Sequence, residues 1–256
     1  MTAFAFARAL RAGETVYSSW CFLSAPIAAE TIARAGFAAV VIDQQHGLWD
    51  TAGVVAAVSG VHHAGATPLV RVPVGDFAFA SRALDFGAEA IIAPMINTAD
   101  DARAFAAAAK FPPLGERSWG PMRAMALQGR SAAADYLREA NDGTLTLAMI
   151  ETPTALSNVD AIAATPGIDA LFIGPYDLST ALSGGKAQDV SAPEVERAID
   201  KTRDAAVNAG KIPGIYCSDA ARALEMTKRG FKFITIGSDL GLLRDGAAAQ
   251  LKAVKA

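Results

Sequence analysis

The sequence predicts a single (β/α)8 barrel (a TIM barrel), and three observations carry that reading. Short apolar, β-branched runs alternate along the chain with Ala-rich helical stretches, the pattern of a parallel sheet with crossover helices. Eight such runs can be counted, and eight parallel strands with intervening helices fit a closed barrel better than an open sheet. The chain has 256 residues, within the usual size of one α/β barrel and long for most other single domains.

The expected strands are Val16–Phe22, Ala38–Asp43, Thr67–Arg71, Ala90–Ala93, Thr146–Ile150, Ala170–Ile173, Ile212–Tyr216 and Phe233–Ile236. Helical patterns lie between them at Pro26–Ala35, Asp50–His63, Phe77–Phe86, Ala99–Ala109, Pro193–Ala209 and Ser218–Arg229. About 50 residues separate the fourth and fifth strands, which predicts an elaborated loop at about 111–143. Loops of that kind act as lids or subunit contacts. No repeat, linker or low-complexity segment interrupts the pattern, so residues 1–256 read as one domain.

Composition narrows the function. Hydrophobic residues make up 52% of the chain, enough to bury roughly three-quarters of the unfolded surface. With 23 Lys plus Arg against 26 Asp plus Glu, the net charge is -3. That balance offers no basic footprint for nucleic acid or an acidic membrane. Cys21 and Cys217 are far apart and form no metal-spaced pair; they read as buried apolar residues of a cytoplasmic protein. The apolar stretch Met1–Leu10 is short, lacks a basic n-region and is followed by Arg11 and Glu14, so neither a signal peptide nor a membrane span is expected.

Active sites of this fold lie at the C-terminal ends of the strands, so the polar residues that end the apolar runs are the candidates. The second strand ends in Asp43-Gln-Gln-His46, the third in Arg71, the fifth in Met149-Ile-Glu151 and the sixth in Gly174-Pro-Tyr-Asp177. Glu151 and Asp177, from neighbouring strand ends, can hold Mg²⁺ or Mn²⁺ and leave positions for water and substrate oxygens. The alternative is a rim salt bridge, or Asp177 as a helix cap. Arg71 can stabilise a carboxylate or a developing enolate, or bridge structurally to Asp43. His46 can act as a general base, since an imidazole exchanges protons near neutral pH, or be a loop histidine. His62 and His63 end a helical stretch on the opposite rim.

Schiff-base chemistry needs a lysine inside the barrel. Lys211 and Lys232 precede strands, Lys186 lies in a polar loop and Lys110 ends a helix, so a metal is the better electron sink. Phosphate binding is poorly supported, because the turns after the last two strands begin Tyr216-Cys-Ser-Asp and Gly237-Ser-Asp.

Taken together, five segments resemble the HpcH/HpaI aldolase family. They are Gly36-Phe-Ala-Ala-Val-Val-Ile-Asp-Gln-Gln-His-Gly, Leu69-Val-Arg-Val-Pro, Ala83-Leu-Asp-Phe-Gly-Ala-Glu-Ala-Ile-Ile-Ala-Pro-Met, Met149-Ile-Glu-Thr-Pro and Phe172-Ile-Gly-Pro-Tyr-Asp-Leu-Ser. The likeness runs from about Trp20 to Ser238. It implies a barrel that binds Mg²⁺, Mn²⁺ or Co²⁺ and forms or cleaves a C–C bond between the enolate of a 2-keto acid (pyruvate or hydroxypyruvate) and an aldehyde. By the resemblance, Glu151 and Asp177 match metal ligands, His46 the base and Arg71 the residue that steadies the enolate. Asp85 matches an acid that raises the basicity of the histidine, and Asp43 a further acid near it. Met149 and the backbone at Gly174, Pro175 and Tyr176 match substrate contacts. The resemblance also implies a homo-oligomer, a hexamer in many members.

Three positions depart from the family pattern. Gln45 replaces an acid before the histidine, Met149 a frequent Gln, and Tyr176 a small residue, which puts the usual substrate range in question. Asp85 precedes the fourth strand, so it belongs on the far rim or the outer layer. Trp20, Trp119 and Arg123 either line an acceptor pocket or serve as core (Trp20) and oligomer contact (Trp119 and Arg123). Two rival functions are a coenzyme A ester lyase of the citrate-lyase-like branch, which would want a basic surface for nucleotide phosphates, and a non-catalytic barrel.

Overall fold

A computed structural model of the chain describes residues 3–255. Eight strands, β1 (Val16–Cys21), β2 (Ala39–Asp43), β3 (Thr67–Arg71), β4 (Ala90–Ala93), β5 (Leu145–Ile150), β6 (Ala170–Ile173), β7 (Ile212–Cys217) and β8 (Phe233–Ser238), pair in sequence order and in parallel into a closed barrel. The expected strands all form; the third, fourth and sixth keep their bounds and the others shift an end by one or two residues. Helices Phe77–Phe86 and Ala99–Ala109 have the expected bounds, whereas Ser218–Arg229 shortens to Ala220–Lys228 because the Asp219 carboxylate accepts the Arg222 N–H and starts the helix there.

Strand parity sorts the side chains. One apolar set, including Val41, Leu69, Ile92, Leu147, Phe172 and Phe233, fills the interior. The alternate set, including Val40, Ile42, Val70, Ile91, Ile150 and Ile234, packs outward against the helices. Burying each such branched side chain contributes about 1.5–3 kcal/mol. The interior parity runs through Trp20, Asp43, Arg71, Met149, Glu151 and Tyr216, which places two acids, an arginine and two aromatic rings inside the barrel mouth.

The opposite end is closed by helix Ala5–Arg11, which buries Phe6, Ala7 and Leu10; the Phe6 ring stands edge-on to Phe233 at 5.3 Å. The apolar N-terminal stretch is thus a plug for the barrel floor. At this end Lys110 is fully buried and donates to Asn141 O (2.7 Å), Thr144 O (2.6 Å) and Asp169 Oδ2 (2.6 Å). With these three bonds it is a structural tie, in agreement with its exclusion as a Schiff-base lysine.

The segment between β4 and β5 carries the short helix Met122–Leu127 and the helix Ala133–Gly143. It is held together by Phe111, Trp119 and Tyr136, whose rings meet pairwise at 5.8–6.4 Å, and Tyr136 also meets the Phe4 ring at 6.0 Å. Among the described residues no helix is long and apolar enough to cross a membrane.

Candidate active site

The register that aligns Asp43 with Arg71 on adjacent strands also lets them pair. Arg71 donates from Nε to Asp43 Oδ1 (2.8 Å) and from Nη2 to Oδ2 (2.6 Å), a buried bidentate contact. The structural reading of Arg71 is therefore realised, and no described residue takes its third nitrogen, Nη1. Asp43 Oδ1 also accepts the backbone N–H groups of Gln45 (3.0 Å) and His46 (3.4 Å). One carboxylate thus fixes both the guanidinium and the turn that presents His46. Gly47 completes the turn; a Cβ there would lie 2.1 Å from Asp43 O, so no other residue fits. The His46 imidazole is exposed and faces the barrel mouth.

Glu151 is 1% exposed. Its Oε1 accepts the Met95 N–H (2.8 Å), and its Oε2 is buried with no partner. Burial, opposed by the Met95 bond and reinforced by the nearby Asp177 charge, pushes its carboxyl up from the ordinary 4.5 to about 7. Met95 holds φ 54, an unusual left-handed conformation for a side-chain-bearing residue, and this presents its N–H at the end of β4. Room beside Glu151 comes from Gly174, where a Cβ would stand 2.5 Å from Oε2.

Helix Pro175–Leu182 begins immediately after Gly174, has no side-chain cap and carries Asp177 within its first turn. Asp177 is exposed and lines the pocket, so the capping alternative does not hold. Other acids do cap helices, among them Asp50 onto Gly53 (2.7 Å) and Asp76 onto Phe79 (3.0 Å). The uncapped turn leaves N–H groups near Tyr176 open to an anion.

A cavity of about 270 Å³ occupies the barrel mouth, lined by His46, Arg71, Met149, Gly174, Pro175, Tyr176 and Asp177 together with Trp20, Phe22, Phe172 and Tyr216. Trp20 is both core and pocket floor: it stacks on Phe172 (5.9 Å, 28°), and the Arg71 guanidinium lies 4.9 Å from its ring centre. Burial pushes the Tyr216 phenol up to about 12, so it stays neutral.

Asp85, Arg123 and Trp119, singled out in the sequence, lie away from this cavity. Asp85, in the last turn of helix Phe77–Phe86, pairs with Arg117 (2.6 Å) on the outer layer. That helix runs back from the mouth towards the floor, and carries Asp85 with it. Arg123 donates to Val55 O (3.3 Å) and to Ser59 Oγ, which ties the long β4–β5 segment to helix Thr51–His63. Trp119 is likewise outside, against Phe111 and Tyr136. Sequence reasoning missed Met95, Phe22, Phe172 and Tyr216. The parity of their strands could have found the three aromatic residues, whereas Met95 contributes only a backbone N–H.

Among the described residues, no three His, Cys, Asp or Glu side chains converge as a metal cage. The candidate is a pair, and the pair fits a hard divalent cation. Glu151 supplies a buried oxygen without a partner, Asp177 a second carboxylate close enough to act on its charge, and Gly174 the space.

An eight-stranded parallel barrel with an acid pair, an arginine and a histidine at the C-terminal ends of its strands has the build of a barrel enzyme. The chain belongs to the HpcH/HpaI aldolase/citrate lyase family, whose model matches residues 17–246. It is 39% identical to a hydroxypyruvate/pyruvate aldolase of Rhizorhabdus wittichii over 235 residues, 92% of each chain. It is 36% identical to a 4-hydroxy-2-oxo-heptane-1,7-dioate aldolase of Salmonella dublin, over 96% of this chain and 92% of that one. Its structure matches that of an HpcH/HpaI aldolase/citrate lyase family protein from Burkholderia cenocepacia J2315 with a TM-score of 0.90 at 33% identity, covering 98% of this chain and 99% of the other. The family and these relatives place the chain among the carbon–carbon lyases of the aldolase type.

Proposed function

We propose that this chain is a divalent-metal-dependent aldolase that joins the enolate of pyruvate or hydroxypyruvate to an aldehyde and catalyses the reverse cleavage. The observation that carries the reading is the bare, buried Oε2 of Glu151 beside Asp177, at a mouth shared with Arg71 and His46. The names of the relatives support the two donors.

Glu151 and Asp177 would hold the cation, which supplies Lewis-acid stabilisation of the donor's enolate oxygen when bound. Mg²⁺, Mn²⁺ and Co²⁺ are the ions the family resemblance favours. The open N–H groups at the start of helix Pro175–Leu182 bind the donor carboxylate. Arg71, held in place by Asp43, keeps Nη1 for the enolate oxygen. In cleavage His46 takes the proton of the 4-hydroxyl as the C3–C4 bond breaks, and in synthesis it returns that proton to the new alkoxide. Asp85 has no place in the pocket of its own chain, so its part is confined to a contact between copies. A coenzyme A ester is less well served, because Arg71 is the one Lys or Arg lining the cavity among the described residues and two of its nitrogens are held by Asp43.

The further proposals are self-association and a cytoplasmic location. Helix Asp239–Lys255 buries only Asp239 among its described residues and leaves Leu242 (47%) and Leu243 (66%) exposed beside Ile27 (68%). That surface suits a second copy of the chain; the hexamer rests on the resemblance alone. Cys21 and Cys217 are buried and free, as suits a reducing compartment.

The test is synthesis from pyruvate and a simple aldehyde, with added Mn²⁺ or with excess chelator. Adduct should form with the metal and not with the chelator, and Asp177→Ala should lose it. Equal yields in chelator would refute the metal-dependent reading.

A further inference from the structure

The acceptor side of the mouth has a chemistry of its own. Tyr176, Tyr216, Trp20 and Phe172 form a continuous run of rings with centres 6.0, 5.8 and 5.9 Å apart. Phe22 and Met149 extend the apolar wall. The groups assigned to the donor (Glu151, Asp177 and the open turn of helix Pro175–Leu182) gather on β5 and β6, whereas Trp20, Phe22 and Tyr216 come from β1, its following turn and β7. Among the described residues, the one Lys or Arg lining the cavity, Arg71, is engaged by Asp43 through two nitrogens and by the face of Trp20. A carboxylate on the acceptor would therefore meet aromatic and apolar faces, while Arg71 is held by Asp43 and keeps its third nitrogen for the enolate oxygen. The cavity, about 270 Å³, is small, so both reactants must be small too.

We propose that the acceptor is an uncharged aldehyde bearing an aromatic or branched apolar substituent, held against Trp20, Phe22, Tyr176 and Tyr216, and that aldehydes carrying a remote carboxylate are rejected. This rests on the aldolase reading and names the substrate class of the same site.

The experiment uses the full chain with Mn²⁺ and pyruvate, and measures kcat/KM for benzaldehyde against 4-carboxybenzaldehyde and for butanal against 4-oxobutanoate. The uncharged member of each pair should be preferred by at least about tenfold, the scale on which an apolar pocket discriminates. In Phe22→Ala, a truncation of a half-buried ring, the preference for benzaldehyde over acetaldehyde should narrow by about the same factor. Deuterium exchange into the pyruvate methyl group without aldehyde is run alongside. Exchange together with equal or better use of the carboxylated acceptors, or an unmoved benzaldehyde preference in Phe22→Ala, overturns this inference and leaves the aldolase standing. Absence of exchange overturns the aldolase reading, and the inference falls with it.

Discussion

At Glu151 one carboxylate oxygen is held by the Met95 N–H and the other is left bare inside the protein. An unpaired buried charge is costly, and the raised carboxyl pKa expresses that cost; an ion shared with Asp177 would relieve it. His46 stands apart from this pair as the proton-transfer group. His46→Ala should lower kcat/KM for cleavage by about 10²–10⁴-fold, the usual contribution of a positioned acid–base group, while calorimetry shows Mn²⁺ binding retained. Normal turnover by that variant removes His46 from the mechanism. Asp43→Ala strands the buried Arg71 charge and should cost about 3–5 kcal/mol of stability, read from denaturant midpoints; a loss under 1 kcal/mol, typical of exposed pairs, contradicts the pairing described. Much of this was legible in the sequence. Asp43, Arg71 and Glu151 end apolar runs at interior-facing positions, and the pairing of Asp43 with Arg71 was one of the two roles open to them. Met95 was not legible, since it acts through its backbone; strand parity turns Phe22, Phe172 and Tyr216 inward, but it does not separate a ring that fills the core from one that lines the pocket.

The strands and helices act by direction. The helices that follow the strands start at the mouth and run back towards the floor, which explains why Asp85 leaves the site although its residue type suits it; Arg123 is held away by its bonds to helix Thr51–His63. A resemblance fixes a residue's position in the chain, but the face it reaches depends on how far along its helix it lies. The floor has its own ionisable group. Glu89 precedes β4, is buried, and accepts from the Phe4 backbone next to the plugging helix Ala5–Arg11. Burial first, against the Phe4 and Gln128 bonds and the charges of Arg8 and Arg130, raises its carboxyl from the ordinary 4.5 to about 7. The folded protein therefore holds this proton more tightly than the unfolded chain does. The stabilisation is complete below about pH 4.5 and is lost as pH rises towards 7. Glu89→Gln should be more stable than the parent at pH 8, by on the order of 1–3 kcal/mol, and close to it at pH 5. A variant less stable at pH 8 than the parent contradicts that account.

For the whole molecule, the barrel was the most legible feature, because alternation and strand parity repeat eight times and errors at single boundaries do not disturb the closure. The arrangement of the surface was not, since exposed leucines in a helical pattern look the same whether they meet solvent, their own barrel or another copy. The C-terminal helix Asp239–Lys255 is such a case. If a second copy covers it, Leu242→Ser together with Leu243→Ser should shift sedimentation towards the monomer, whereas an unchanged species would place the contact elsewhere.

The central claim, a cation-assisted enolate at the mouth of this barrel, is tested most directly by NMR of pyruvate in deuterated buffer. The account predicts that the methyl signal disappears with enzyme and Mg²⁺ or another diamagnetic divalent ion, persists with chelator, and persists with Glu151→Gln even when metal is present. Exchange of undiminished rate in chelator, or in the Glu151→Gln protein, contradicts it.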